Sequence, residues 1–332
     1  MNSMKERTIS VFNLTKNFKQ YKKQPGLLGS VRSLFHRESY DIEAVKNISF
    51  DIEQGELVGF IGPNGAGKTT TLKCLSGLLY PTDGVVNVLG YTPWDRKRDF
   101  LKQISLVMGQ KNQLWWDLPA IDSFLLNKEI YEIPEDVFRE RLSKLVELLE
   151  IEDIIEVQVR KLSLGQRMKC ELIAALLHAP KVLFLDEPTI GLDVLMQKKL
   201  RGFFKEFNQE FKTTIILTSH YMEDVKELCK RVIMIDKGEL VYDGGLDKLV
   251  KKYATNKNIS FVVTKKVNRS DLKKYGQIIE YSNHQVIISV PRDDISKVST
   301  SILQSMPIED LEIREMALDE VIRGVFGNGV PD

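Results

Sequence analysis

The run Gly62-Pro63-Asn64-Gly65-Ala66-Gly67-Lys68-Thr69 sits between a short apolar stretch, Glu56 to Ile61, and a segment whose Leu72, Leu75, Leu78 and Leu79 recur at helical spacing. A strand, a glycine-rich turn and a helix in that order fix the local topology, because the helix must pack back on the sheet that the strand belongs to. Two further runs, Val182–Leu185 and Thr214–Leu217, are continuously apolar instead of alternating, with helical patterns between and after them. Strands that read apolar on both faces belong in a mainly parallel sheet covered on two sides. The expected fold class is therefore α/β.

Around this core the pattern predicts an edge strand over residues 8–18, strand character again over 44–52, turn chemistry at Pro81-Thr-Asp-Gly84 and a short strand over 85–89. Residues 120–160 read mostly helical, with Leu142, Leu145, Val146, Leu148 and Leu149 on one apolar face. A long helix is expected from Ser163 to Leu177, ended by Pro180. Composition shifts near Gly244-Gly245. Beyond it the order is strand 259–264, helix 270–275, strand 278–281, a turn at Ser282-Asn283, strand 286–290, helix 295–306, strand 309–314 and helix 318–326. That β-α-β-β-α-β order predicts a small ferredoxin-like α+β domain, so the expected division is 1–245 and 246–332.

A chain of 332 residues suits one large domain plus a smaller one, and its 43% hydrophobic content supports a sizeable core. A net charge of +1 gives no overall attraction to nucleic acid, so no nucleic-acid partner is expected. Cys74, Cys170 and Cys229 are scattered among apolar, helix-like segments and read as buried thiols of a reducing compartment. No apolar run approaches the roughly 18 residues that a membrane span requires, and no signal-peptide core is evident. A transport role would therefore need another chain to form the pathway.

The glycine loop matches the pattern that cradles nucleotide phosphates. Gly62, Gly65 and Gly67 let backbone N–H groups turn inward, and the helix N-terminus adds partial positive charge. Lys68 is expected to reach the β- and γ-phosphates of ATP, and the Thr69 hydroxyl to hold Mg2+. Pro63, Asn64, Ala66 and Thr70 complete the lining. Asp186 ends an apolar strand, so its carboxylate emerges at the sheet edge where ligands bind, and it is a second expected Mg2+ contact. Glu187 follows directly and is the expected base for an attacking water. His220, just past the strand at 214–217, is expected at the same edge against the γ-phosphate.

Together these residues resemble the ATP-binding cassette family over roughly 1–245. Leu162-Ser-Leu-Gly-Gln166 is similar to its signature loop, and Asp186-Glu187-Pro-Thr-Ile-Gly-Leu-Asp193 to its second nucleotide motif running into the D-loop. His220 matches its switch histidine, and Gln110 the Q-loop glutamine, which the resemblance also implies as a Mg2+ contact. The resemblance implies an ATPase that forms a head-to-tail dimer with a second copy of itself or a related cassette. Each ATP would lie between one glycine loop and the other chain's Ser163, Gly165 and Gln166. One departure is Leu164, where the family's signature has glycine; the expectation is that its side chain points away and is tolerated. Phe18 matches the adenine-stacking position best, with Tyr21 and Tyr40 as alternatives.

Several features further resemble the cassettes of bacterial drug, lipid and polysaccharide exporters. Residues 22–41 carry Leu27, Leu28, Val31, Leu34 and Phe35 at helical spacing among Arg32, His36 and Arg37, which predicts an amphipathic basic helix. It suits a lipid surface or a permease, or packing on its own domain. In the family the region of Trp115-Trp116 receives a permease helix, and the reading here is one tryptophan at that contact and one in the core. The implied protein sits peripherally on the cytoplasmic membrane face and drives separate permease subunits, as an exporter. The rivals are a cassette acting on ribosomes or DNA, disfavoured by a single cassette and by the lack of heptads over 69–162, and an importer subunit.

Overall fold

The computed structural model describes residues 7–21, 39–109, 111–265, 267–282 and 284–327. Residues 22–38 of the expected amphipathic segment, Gln110 and Asn283 lie outside the described residues. The chain divides into two compact units, 1–244 and 245–332.

The first unit begins with β1 (Arg7–Tyr21) and β2 (Ser39–Glu53), paired antiparallel with Ser10 opposite Asp51 and Phe18 opposite Ile42. β3 (Leu57–Ile61) leads through the glycine loop into α1 (Lys68–Leu75), and β4 (Asp83–Val88) follows. β4 returns to pair with β1, so the first sheet has the order β2-β1-β4. The strand expected at an edge is therefore central. Its alternation, with Ile9 and Val11 buried and Phe12 exposed, reports which face is covered; it carries no information about how many neighbours the strand has.

Three helical elements follow β5 (Ile104–Met108): α2 (Ala120–Tyr131), α3 (Glu135–Leu149) and α4 (Leu164–Leu176). α3 buries Phe138, Leu145, Val146 and Leu149 but exposes Leu148, which lies roughly 100° around the helix from the centre of that stripe at about 100° per residue. The five leucine and valine positions thus do not share one face. α4 starts at a reciprocal cap: the Gln166 N–H donates to Ser163 Oγ at 3.2 Å, and the Ser163 N–H donates to Gln166 Oε1 at 2.9 Å.

The second sheet is completed by β6 (Val182–Asp186), β7 (Thr214–Thr218), β8 (Arg231–Asp236) and β9 (Glu239–Gly245), with α5 (Val194–Phe211) and α6 (Met222–Leu228) on the connections. Its order is β5-β6-β7-β3-β8-β9, and β5, β6, β7, β3 and β8 run parallel. β9 returns from β8 through Lys237-Gly238, both at positive φ, as a two-residue hairpin requires. β6 and β7 are buried along their whole length. The two sheets and α1 share one core, in which Ile9, Phe50, Phe60, Leu72, Phe184 and Ile233 meet.

The second unit opens with α7 (Leu246–Tyr253). It then runs β10 (Asn256–Val263), β11 (Gln277–Ser282), β12 (Gln285–Pro291), α8 (Ile295–Ser305), β13 (Ile308–Glu315) and α9 (Leu318–Gly327). The sheet order is β11-β12-β10-β13 with every neighbour antiparallel. β12 therefore lies between β10 and β11, the split arrangement of ferredoxin-like domains. The helix expected over 270–275 is two short turns, Arg269–Leu272 and Lys273–Tyr275.

All three cysteines are free and buried. Burial pushes the Cys74 thiol up to about 11 and the Cys170 thiol up to about 12, which keeps them protonated and unreactive near neutrality. Among the described residues no helix is long and apolar enough to cross a membrane.

Candidate nucleotide site

β3, β6 and β7 are neighbours running the same way, so the glycine loop, the Asp186-Glu187 pair and the Thr218-Ser219-His220 segment leave the sheet at one edge. They enclose a cavity of about 630 Å3 lined by Asn64 to Thr70, Ala44, Glu187, Ile190 and His220. The loop tolerates little else at two of its glycines. A Cβ on Gly62 would collide with the Ile235 carbonyl oxygen. One on Gly67, at φ +104°, would collide with that of Ala44.

Lys68 is buried, and its ammonium donates to the Gly62 and Pro63 carbonyls at 2.7 and 3.0 Å. Burial pulls its pKa down, and the nearby carboxylates of Glu187 and Asp186 work against that shift. Asp186 accepts two hydroxyl hydrogen bonds, from Thr69 Oγ1 to Oδ2 at 2.8 Å and from Thr218 Oγ1 to Oδ1 at 2.7 Å. Thr69 and Asp186, expected to share one cation, are thus in direct contact. The sequence alone assigned no role to the Thr218 hydroxyl.

Glu187 has φ +56°, a left-handed backbone conformation uncommon for a residue with a side chain. Its N–H donates to Thr218, with the carbonyl and the hydroxyl oxygen each 3.1 Å away. This local strain turns the chain sharply after β6, so successive carboxylates face different ways. His220 Nε2 lies 2.7 Å from Glu187 Oε1. The Gly109 N–H donates to the Asp186 carbonyl at 2.9 Å, and a Cβ on Gly109 would collide with the Glu187 carbonyl oxygen. The sequence reading had no signal for Gly109.

Other expected residues lie elsewhere. Ser163 and Gln166 form the α4 cap, and Gly165 packs toward Met196 and Leu192; none lines the cavity. Leu164 is not among the positive-φ residues and stands 36% exposed at the first position of α4, with its Cδ2 close to Gly191. The backbone there does not call for glycine. Phe18 is part-exposed on β1 with the Lys16 ammonium 5.1 Å from its ring centre, and it does not line the cavity. Tyr40 donates its hydroxyl to Gln20 Oε1. The side chain of Tyr21 lies outside the described residues. Trp115 and Trp116 are both exposed, at 58% and 46%, so the assignment of one to the core is corrected. Leu114 is the buried residue of that loop, and the Arg167 guanidinium lies 5.6 Å from the Trp116 ring centre.

Two family models match the chain, "ABC transporter" over residues 45–190 and "EvrA-like ABC transporter, C-terminal domain" over 255–314. The ABC transporter ATP-binding protein NatA of Bacillus subtilis is 32% identical, over 69% of this chain and 92% of its own length. The linearmycin resistance ATP-binding protein LnrL of B. subtilis is 28% identical over 87% and 95%. The methionine import ATP-binding protein MetN 2 of Enterococcus faecalis is 26% identical over 91% and 89%. Among solved structures, a dimeric post-hydrolysis ATP-binding cassette bound to ADP and Pi superimposes with a TM-score of 0.59 at 25% identity, over 72% of this chain and 98% of that one.

Proposed function

The chain belongs to the ATP-binding cassette transporter family as an ATP-hydrolysing subunit, and from that premise we propose how its residues divide the work. The glycine loop and Lys68 bind the β- and γ-phosphates, Thr69 and Asp186 hold Mg2+, Glu187 accepts a proton from the attacking water, and His220 orients that carboxylate and the γ-phosphate. Water oxygen bonds to the γ-phosphorus as the bond to the β-phosphate oxygen breaks, leaving ADP and phosphate. The observation that carries this reading is the 2.7 Å contact of His220 with Glu187 at the mouth of the cavity that the buried Lys68 lines.

The donor set suits the cation. A hydroxyl and a carboxylate are hard oxygen ligands, and no described cluster of three or more acidic, histidine or cysteine residues could cage a metal unaided. That is the pattern of a site whose Mg2+ is completed by substrate phosphates and water. When bound, the ion neutralises charge on the phosphate oxygens. Gln110, proposed as a further contact, lies outside the described residues.

Ser163, Gly165 and Gln166 serve a second cassette's ATP, because they stand apart from this chain's own cavity at the start of a capped helix. The similarity to a dimeric cassette holding ADP and Pi supports that arrangement. Phe18 is proposed as the adenine-stacking residue. The subunit works beneath separately encoded permeases on the cytoplasmic membrane face, as an exporter. The likeness to a linearmycin resistance protein along nearly the whole chain supports export, and the comparable likeness to a methionine import protein keeps import as the second reading.

Co-purification from detergent-solubilised membranes tests the assembly, with phosphate release measured on the complex. Permease chains and ATP hydrolysis are expected together. A chain that purifies alone from membranes known to contain it, or that hydrolyses no ATP, overturns the assignment.

A further inference from the structure

Beneath Glu187 and His220 lies a polar cluster that the roles above do not use. Asp224, on α6, is fully buried. Its Oδ2 accepts the Thr189 hydroxyl at 2.6 Å and the Ser219 hydroxyl at 2.7 Å, and its Oδ1 takes Arg201 Nη1 at 2.9 Å. Thr189, Ser219 and Arg201 are buried as well. Arg201 also has Nε 3.0 Å from Glu227 Oε2, an ion pair without hydrogen-bond alignment. Gln197 Nε2 reinforces the same place by donating to the Leu192 carbonyl at 3.1 Å.

The placement is what matters. Thr189 is two residues beyond Glu187, and Ser219 immediately precedes His220. One carboxylate oxygen therefore ties together the two strand exits that carry the base and the histidine. The Tyr221 N–H donates to Ser219 Oγ at 2.9 Å, which fixes the backbone on the other side of His220. A buried charge satisfied by three partners resists rearrangement, because displacing either hydroxyl leaves the carboxylate short of a donor.

We propose that Asp224, neutralised by Arg201, is a positioning residue that sets the Glu187–His220 geometry by holding Thr189 and Ser219 on a single oxygen, and so couples residues 189–193 to the hydrolytic pair. This deepens the functional reading above and rests on it. Hydrolysis demands that the base and the γ-phosphate contact be held together, and small misplacements there are costly to turnover. The coupling also reaches Gly191, against which Leu164 of the signature loop packs. A shift of the signature loop is thereby transmitted to both hydrolytic residues.

The test uses the full chain and measures kcat, KM for ATP and the thermal midpoint for Thr189→Val, Thr189→Ser, Ser219→Ala and the Thr189→Val/Ser219→Ala double variant. Removing either hydroxyl is expected to lower kcat about tenfold while KM stays within about twofold. Thr189→Ser, which keeps the hydroxyl, is expected to restore most of the rate. Because both anchors serve one geometry, the double variant is expected to lose about tenfold as well, against about a hundredfold for independent effects. Wild-type kcat in Thr189→Val, an equal loss in Thr189→Ser, or multiplying effects overturn the proposal. Should Thr189→Val fail to fold, the KM-against-kcat split of Ser219→Ala decides the matter. A wild-type chain without ATPase activity overturns the functional reading and this proposal with it, whereas an active wild type with indifferent variants overturns this proposal alone.

Discussion

Glu187 and His220 leave neighbouring parallel strands and meet at 2.7 Å between Oε1 and Nε2. The contact joins a residue held in a left-handed backbone conformation to one two residues past a fully buried strand.

Glu187→Gln keeps the shape of this pair and removes the proposed proton acceptor. Turnover is expected to fall by about 10²–10⁴-fold, with ATP affinity kept within a few-fold. His220→Ala is expected to cost at least about tenfold in kcat with KM nearly unchanged. Phosphate release and fluorescent-nucleotide titration measure both. Undiminished hydrolysis in Glu187→Gln would place the base elsewhere.

Ser163 has a structural task besides the proposed one. Ser163→Ala removes half of the α4 capping box and is expected to lower stability by about 1 kcal/mol. Ser163→Arg adds bulk where a second cassette's phosphate is proposed to dock, so turnover is expected to vanish beyond what the stability change explains. Denaturant midpoints set beside ATPase rates separate the two effects, and an Arg variant that hydrolyses like the Ala variant removes the signature loop from the site.

Asp186 accepts from two hydroxyls at once, so an amide in its place must turn an N–H toward one of them. Asp186→Asn is expected to raise the Mg2+ concentration needed for half-maximal turnover by about tenfold or more. Chelation of divalent cations is expected to stop the wild type and readdition of Mg2+ to restore it. Hydrolysis that persists in excess chelator contradicts the proposed cation.

Glu171 on α4 gives a pH signature. It is buried with no hydrogen-bond partner for Oε2 among the described residues, and Arg167 Nε is 3.9 Å from Oε1. Burial raises its pKa from 4.5 to about 7, against smaller opposing effects of Arg167 and the Gln113 N–H. The folded chain thus keeps a proton that the unfolded chain releases, and this group's contribution to stability falls as pH rises from about 4.5 to about 7. Glu171→Gln is expected to gain on the wild type over that window, by up to about 3 kcal/mol. Urea unfolding at pH 5 and pH 7.5 measures the difference, and a difference that does not change with pH refutes the assignment.

What the sequence disclosed and what it hid differ in range. The glycine loop, the strand before it and the Asp186-Glu187 pair are local in the chain, and short runs with glycine and apolar strands specify them. The ferredoxin-like order of the second unit was legible for the same reason, since its elements follow one another. β1 was misplaced because its second neighbour, β4, lies some 60 residues away, and alternation does not reveal pairing partners. One of Trp115 and Trp116 was expected in the core, yet both are exposed and the smaller Leu114 is the residue that packs. Arg201 and Asp224 look like solvated helix charges in isolation; only the crossing of α5 and α6 brings them together in the interior.

One backbone contact has a mechanical consequence. Gly109 leaves β5 with its N–H bound to the peptide oxygen of Asp186 and its Cα pressed against that of Glu187, with no room for a methyl group between. Any tension on the chain leaving β5 would therefore reach the backbone of Glu187, the proposed base, through main-chain atoms. In a motor of this kind, force arriving from outside and the timing of bond cleavage would be governed by the same peptide.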